Sequence, residues 1–132
     1  MAKVSRGPQS EKQKIIQLLR GEIYVCSFDP TIGHEIKKTR PALIVQNDIG
    51  NRYSPLTIVA AITSAISPVP YPVEVILDPT RANGLMVRSS IRLDQIRTID
   101  RQRLIRRLGI VDAATMGKVD KAIQISLGLV QI

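Results

Sequence analysis

The chain has 132 residues, room for one hydrophobic core rather than two. Hydrophobic residues make up 44% and charged residues 23%, which excludes a chain disordered throughout. Its longest apolar runs, such as residues 42–45 and 58–62, fall far short of the roughly 20 residues of a membrane span, and Lys3 and Arg6 lack the apolar stretch of a secretory signal behind them.

Cys26 is the single cysteine, so neither an internal disulfide nor a cysteine-based metal cage is available, and a reducing, cytoplasmic setting is expected. The net charge of +8 is unevenly spread. Residues 81–107 hold eight arginines against Asp94 and Asp100 alone. Such a basic stripe suits a phosphate-bearing partner, with a merely solvated surface as the plainer alternative.

In chain order, residues 1–19 read as a leader and residues 20–132 as the domain proper. Gly7-Pro8 breaks regular structure, and Ser10 with Gln13 resembles a capping box before Ile15, Ile16, Leu18 and Leu19, which predicts one or two helical turns. Residues 22–28 are rich in β-branched and aromatic side chains and read as a strand. A polar loop follows over 31–39, then a second strand at 41–46, a turn cluster at 47–51 and a third strand at 56–63. Pro68, Pro70 and Pro72 stiffen the loop over 65–71; a fourth strand is expected at 73–77, a loop at 78–84, and two short strands at 87–92 and 95–100.

The second and third strands are apolar on both faces, as when both are covered. Asp112 is a good N-cap for a closing helix whose stripe is Met116, Val119, Ile123 and Leu127. The pattern predicts a mainly β, α+β domain: a small, strongly curved antiparallel sheet or barrel with attached helices.

Gly-rich phosphate loops, metal-ligand clusters, an H-E-x-x-H pair and a convincing Ser-His-Asp set are all missing from the sequence, so no metal or cofactor is expected. What remains is the junction over residues 33–41. Pro41 forces Arg40 into an extended backbone, which seats its guanidinium fork at the mouth of a strand, where it suits a phosphate; the alternative is a surface arginine beside a basic loop. Thr63 and Ser64 put two hydroxyls where the run 58–62 ends, either as phosphate donors or as plain β propensity. His34, the only side chain with an ordinary pKa near neutrality, falls in a polar loop and reads by default as exposed and idle. Cys26 alternates with Tyr24 and Phe28 and reads as a small core residue.

These residues also carry a resemblance. Arg20-Gly21-Glu22-Ile23-Tyr24, Asp29-Pro30-Thr31, Gly33-His34-Glu35, Thr39-Arg40-Pro41-Ala42-Leu43, Gln46-Asn47-Asp48-Ile49-Gly50-Asn51, Ala61-Ile62-Thr63 and Asp94-Gln95-Ile96-Arg97-Thr98-Ile99-Asp100 occur in this order. From about Arg20 to the C-terminus the chain resembles the MazF/PemK family of toxin endoribonucleases from type II toxin–antitoxin pairs.

The resemblance implies a small SH3-like antiparallel barrel of the plasmid-maintenance-toxin type with a C-terminal helix, forming a homodimer. It implies sequence-specific, metal-independent cleavage of single-stranded mRNA by attack of the 2′-hydroxyl, leaving a 2′,3′-cyclic phosphate and a 5′-hydroxyl. Growth would be inhibited until a cognate acidic antitoxin binds. Arg40 and Thr63 fall on the family's catalytic arginine and threonine. Glu35 falls on a loop acid that handles substrate; His34, Lys37, Ser64, Ser89 and Gln95 are grouped with it as RNA contacts, Ser89 and Gln95 aligning less closely. His34 stands where a small hydroxyl residue is common, and the leader is longer than usual. Two rivals stay open: a gyrase-poisoning toxin of similar fold, against which the Arg40–Thr63 pair argues, and a non-catalytic nucleic-acid module, for which three Tyr and one Phe are few stacking platforms.

Overall fold

The computed structural model describes residues 17–29, 34, 39–69 and 71–131. Its elements are β1 (Glu22–Ser27), β2 (Thr39–Ile44), α1 (Asp48–Tyr53), β3 (Leu56–Thr63), β4 (Glu74–Leu77), β5 (Ser89–Asp100), β6 (Leu104–Ile110) and α2 (Ala113–Ser126), with a 3₁₀ turn at Arg101–Arg103. The strands form one sheet in the order β4-β5-β3-β2-β1-β6. Every neighbouring pair is antiparallel. The edge strands β4 and β6 do not pair with each other, so the expected barrel is an open sheet with a C-terminal helix, within the mainly β class.

The central strands have no polar side because both faces are buried. Successive residues of a strand point to opposite faces. Ile23, Leu43, Ala60, Ile62, Ile91 and Leu93 make one core, which α2 closes with Val119 and Ala122. Tyr24, Cys26, Phe28, Ala42, Ile44, Val59, Ala61, Ile99 and Leu104 make a second core on the other face, joined by Leu18. Arg20 fastens the start of the domain to both helices. Its backbone N–H donates to Asp48 Oδ1 at 2.7 Å, and its guanidinium donates to Val45 O at 2.8 Å and to Asp120 at 2.6 Å.

Several elements differ from the sequence reading. The turn cluster at 47–51 winds into α1: Asn47, extended, accepts from the N–H of Gly50 at 2.8 Å and so caps a helix of six residues, too short to show a periodic stripe. Asn51 is fully buried and ties this corner to the sheet, its Oδ1 accepting from Gln46 Nε2 (3.0 Å) and from the Thr57 hydroxyl (2.7 Å). The two strands expected between 87 and 100 are the single strand β5. It is broken by a bulge, since Ala60 faces Ile96 while Ala61 faces Arg92.

Strand β6 was absent from the reading, because Arg106 and Arg107 interrupt its alternation. Leu127, placed on the apolar stripe of the last helix, is its C-cap and is 61% exposed, because the helix ends at Ser126. The expected helical turns of the leader lie almost wholly outside the described residues.

Candidate active site

The site is built at one end of the sheet, where β1, β2, β3 and β5 run side by side. Cys26 pairs with Leu104 on one side and with Arg40 on the other. Thr63 pairs with Ser90, which in turn pairs with Ile76. The β2–β3 register sets Ala42 opposite Ala61. The printed pairing ends there, and Arg40 and Thr63 lie two residues further on, at the same end of the two strands. Thr63 and Ser90 are thus neighbours across the sheet, with Arg40 at the same end of the next strand.

This end of the sheet is anchored at β5. Glu74, 8% exposed, accepts from the Ser90 hydroxyl at 3.0 Å and from the Ser67 hydroxyl at 2.8 Å. Both carboxylate oxygens are thus used, which is what makes a carboxylate tolerable at this depth. Through Ser67 they also hold the chain that leaves β3 after Thr63. Thr63 Oγ1 accepts from the Ala65 N–H at 3.1 Å, so its own hydroxyl hydrogen can point elsewhere. Arg40 is exposed, in keeping with a strand-mouth position, and has no acidic partner among the described residues.

Two cavities flank this pair. The first, about 540 Å³, is lined by Phe28, His34, Ala61, Asp94, Gln95, Ile96 and Arg97. The β5 bulge turns Asp94 and Gln95 toward it, while the Arg97 guanidinium lies 5.6 Å from the centre of the Phe28 ring and donates to Phe28 O at 3.3 Å. The second, about 340 Å³, has Arg40, Ser64, Ser89 and Arg106 on a largely apolar lining that includes Val25, Pro41, Ile62, Leu85 and Met86. Along β3 and just beyond it, Ala61 lines the first cavity and Ser64 the second, with Thr63 between them.

The structure thus gathers Arg40, Ser64 and Ser89 on one cavity and His34 with Gln95 on the other. Thr63 lies at the junction. Glu35 and Lys37 fall outside the described residues. Sequence reasoning missed Phe28 and Arg97 as a stacked pair, because they are 69 residues apart. It missed the Glu74–Ser90 anchor for the same reason: Glu74 and Ser90 stand 16 residues apart. Arg106 was visible only as one charge in the basic stripe.

Cys26, beside Arg40, is fully buried, and burial pushes its thiol up to about 11 against the opposing pull of Arg103 and Arg97. It is a core residue, as its place in the strand implied. Arg92 is held in its charged form above all by its hydrogen bonds to Asp94, at 3.0 and 2.7 Å. Among the described residues no group of three or more His, Cys, Asp or Glu is placed to hold a metal ion. Nor, among the described residues, is any helix long and apolar enough to cross a membrane.

The architecture is a small antiparallel sheet closed by a C-terminal helix, with Arg40 and Thr63 at one end of neighbouring strands. Residues 19–127 match the family described as PemK-like, MazF-like toxin of type II toxin-antitoxin system. The chain belongs to that family. It is 48% identical over 111 residues to Endoribonuclease EndoA of Bacillus subtilis, a match covering 84% of this chain and 95% of that protein. Among solved structures, MazF from Deinococcus radiodurans superposes with a TM-score of 0.72 at 28% identity, covering 86% of this chain and 99% of that one. A mycobacterial endoribonuclease in complex with its cognate antitoxin gives a TM-score of 0.70 at 28% identity, covering 87% of this chain and 99% of the other.

Proposed function

We propose that the chain is a sequence-specific endoribonuclease toxin that cleaves single-stranded mRNA at Arg40 and Thr63 and so arrests growth until an antitoxin binds it. The observation that supports this reading is that Arg40 and Thr63 stand at the same end of the neighbouring strands β2 and β3, with Arg40 on the wall of a cavity. Relatives named as endoribonucleases support it.

The chemistry asks little of the protein. RNA brings its own nucleophile. The 2′-oxygen attacks the adjacent phosphorus, the 5′-oxygen of the next nucleotide leaves, and the products are a 2′,3′-cyclic phosphate and a 5′-hydroxyl end. The barrier lies in the charge that gathers on the phosphoryl oxygens. A guanidinium matches two of them with parallel N–H bonds, and the Thr63 hydroxyl donates a third. Arginine does not give up its own proton, so Arg40 acts as an electrostatic clamp rather than as the base. His34 and Gln95 would contact the strand in the first cavity, and Ser64 and Ser89 in the second; Glu35 and Lys37 belong to the same proposed set.

The antitoxin would be an acidic segment, disordered when free, that folds along the arginine-bearing face and covers Arg40. A solved relative in complex with its cognate antitoxin supports a partner of this kind. The active species would be a homodimer, acting in the cytoplasm. The test is to incubate pure protein with a long RNA in excess EDTA and to map the new ends. Discrete cuts at a short motif, with 5′-hydroxyl ends, are expected. Cleavage that depends on Mg²⁺, or tight binding with no cleavage, would overturn the reading.

A further inference from the structure

Strand β6 carries two consecutive arginines that the sheet sends to opposite faces. Arg107, opposite Tyr24, is held by the buried carboxylate of Glu22 at 2.6 Å. Arg106, opposite Val25, lines the 340 Å³ cavity together with Val25 itself and with Arg40. Among the described residues it has no ion pair. Neither Asp nor Glu is among the described residues that line the cavity.

Two arginines thus line one small cavity, and among its described lining residues there is no carboxylate to offset their charge. Such a pair creates a local excess of positive potential that an anion relieves. The remaining lining is apolar apart from the hydroxyls of Ser64 and Ser89, and the volume lies in the range of small-molecule sites, about 300–1,000 Å³. An apolar floor with two hydroxyls and a cationic rim fits a flat base joined to a phosphate.

We propose that this cavity seats the nucleotide next to the cleaved bond. Its base lies against Val25, Ile62, Leu85 and Leu108, and Arg106 holds the next phosphate along the strand. Arg106 is then a binding residue that sets the register of the RNA over Arg40 and Thr63, and it takes no part in the bond changes. The proposal rests on the reading of Arg40 and Thr63 as the cleaving pair.

The experiment uses an RNA oligonucleotide with a single cut site, taken from the wild-type cut map. Steady-state kinetics are measured for the wild type, Arg106→Ala and Arg52→Ala. Arg52, on α1, lines neither cavity and controls for loss of one positive charge. Arg106→Ala should raise KM about tenfold or more with kcat within about twofold, as expected when a charged hydrogen bond to substrate is lost in ground and transition state alike. It should also lower the salt slope of binding by about 0.7, the contribution of one phosphate on a single strand, which an uncharged replacement removes.

The same measurements are then made on oligonucleotides with a neutral methylphosphonate at the phosphate on either side of the cut. At one of these positions the substitution should cost the wild type as much as Arg106→Ala does, and should cost Arg106→Ala nothing further. An Arg106→Ala enzyme indistinguishable from Arg52→Ala, a loss confined to kcat, or additive effects at both phosphates would overturn the proposal. A wild type that leaves RNA uncut would instead remove the reading on which it rests, and the two failures are therefore distinct.

Discussion

At the scale of single residues, the site depends on which side chains are tied down and which are left open. Arg92, Arg97, Arg103 and Arg107 all have partners. Arg103, for example, donates to the carbonyls of Ser27 and Asp29 and so holds the end of β1. Arg40 and Arg106 have no carboxylate beside them among the described residues, and both face the same cavity. Cys26, one strand over from Arg40, stays a thiol because burial raises its pKa to about 11. The unfolded chain ionises its thiol near pH 8.5. The stability this group contributes is therefore whole below that pH and is lost as pH rises toward 11. Iodoacetamide at pH 8 should leave the folded protein unmodified and add once to the chain in denaturant, read by mass; rapid labelling of the native protein would mean that the second core is open at that point.

At the scale of elements, the packing of β6 sets the shape of the second cavity. The loop before β5 lies against this strand with no room for a side chain between them. A Cβ on Gly109 would sit 2.1 Å from Ala82 O, and one on Gly84, whose φ is +71°, would sit 2.1 Å from Leu108 O. The Ile110 N–H donates to Ala82 O at 2.9 Å across the same contact. Gly109→Ala should therefore cost about 1–3 kcal/mol in denaturant unfolding and displace Leu85 and Met86 from the cavity; an unchanged midpoint would contradict the close approach. Just beyond this end of the strand Asp112 caps α2, accepting from the Thr115 N–H at 2.7 Å, a bond that pulls its carboxyl below the usual range. Its contribution is present above the unfolded value near pH 3.9 and fades as pH falls through the lower folded value. Asp112→Ala should lower Tm by about 2–8 °C at pH 7 and by less at pH 2, as followed by circular dichroism.

The legibility of the elements followed these forces. Strand β3 was readable to the residue because its run is apolar and β-branched, and α2 because Asp112 and a periodic face announce it. Strand β6 was hidden because Arg106 and Arg107 interrupt its apolar alternation. Helix α1 was hidden because it is only six residues long and is closed by the Asn47 side chain and by the Ser54 backbone N–H, which donates to Gly50 O, rather than by a periodic face. Of the candidate site, Pro41 and the end of an apolar run marked Arg40 and Thr63 as candidates, while their catalytic roles came only from the family resemblance. The cavities were not legible, since they join residues from five strands and three loops.

At the scale of the whole molecule, the +8 charge and the open sheet act together. The positive excess gives affinity for any polyanion, and that part of binding is sequence-independent. RNA affinity should fall steeply between 50 and 200 mM salt, as should affinity for an acidic antitoxin that competes for the same face; a salt-insensitive Kd would place binding on the apolar surface instead. Attraction alone, however, does not cut a phosphodiester. The central claim is that one arginine, fixed at a strand mouth by Pro41 and standing at the same end of the sheet as Thr63, clamps the phosphoryl group as its charge develops. The most direct test is the turnover of Arg40→Lys on a single-site RNA. Lysine keeps the charge and loses the planar fork. The account predicts a fall in kcat of about 10²-fold or more with KM and Tm nearly unchanged, the scale of losing one pre-organised donor to the transition state. An Arg40→Lys enzyme with wild-type kcat would show that Arg40 only attracts RNA, and the cleaving group would have to be sought elsewhere.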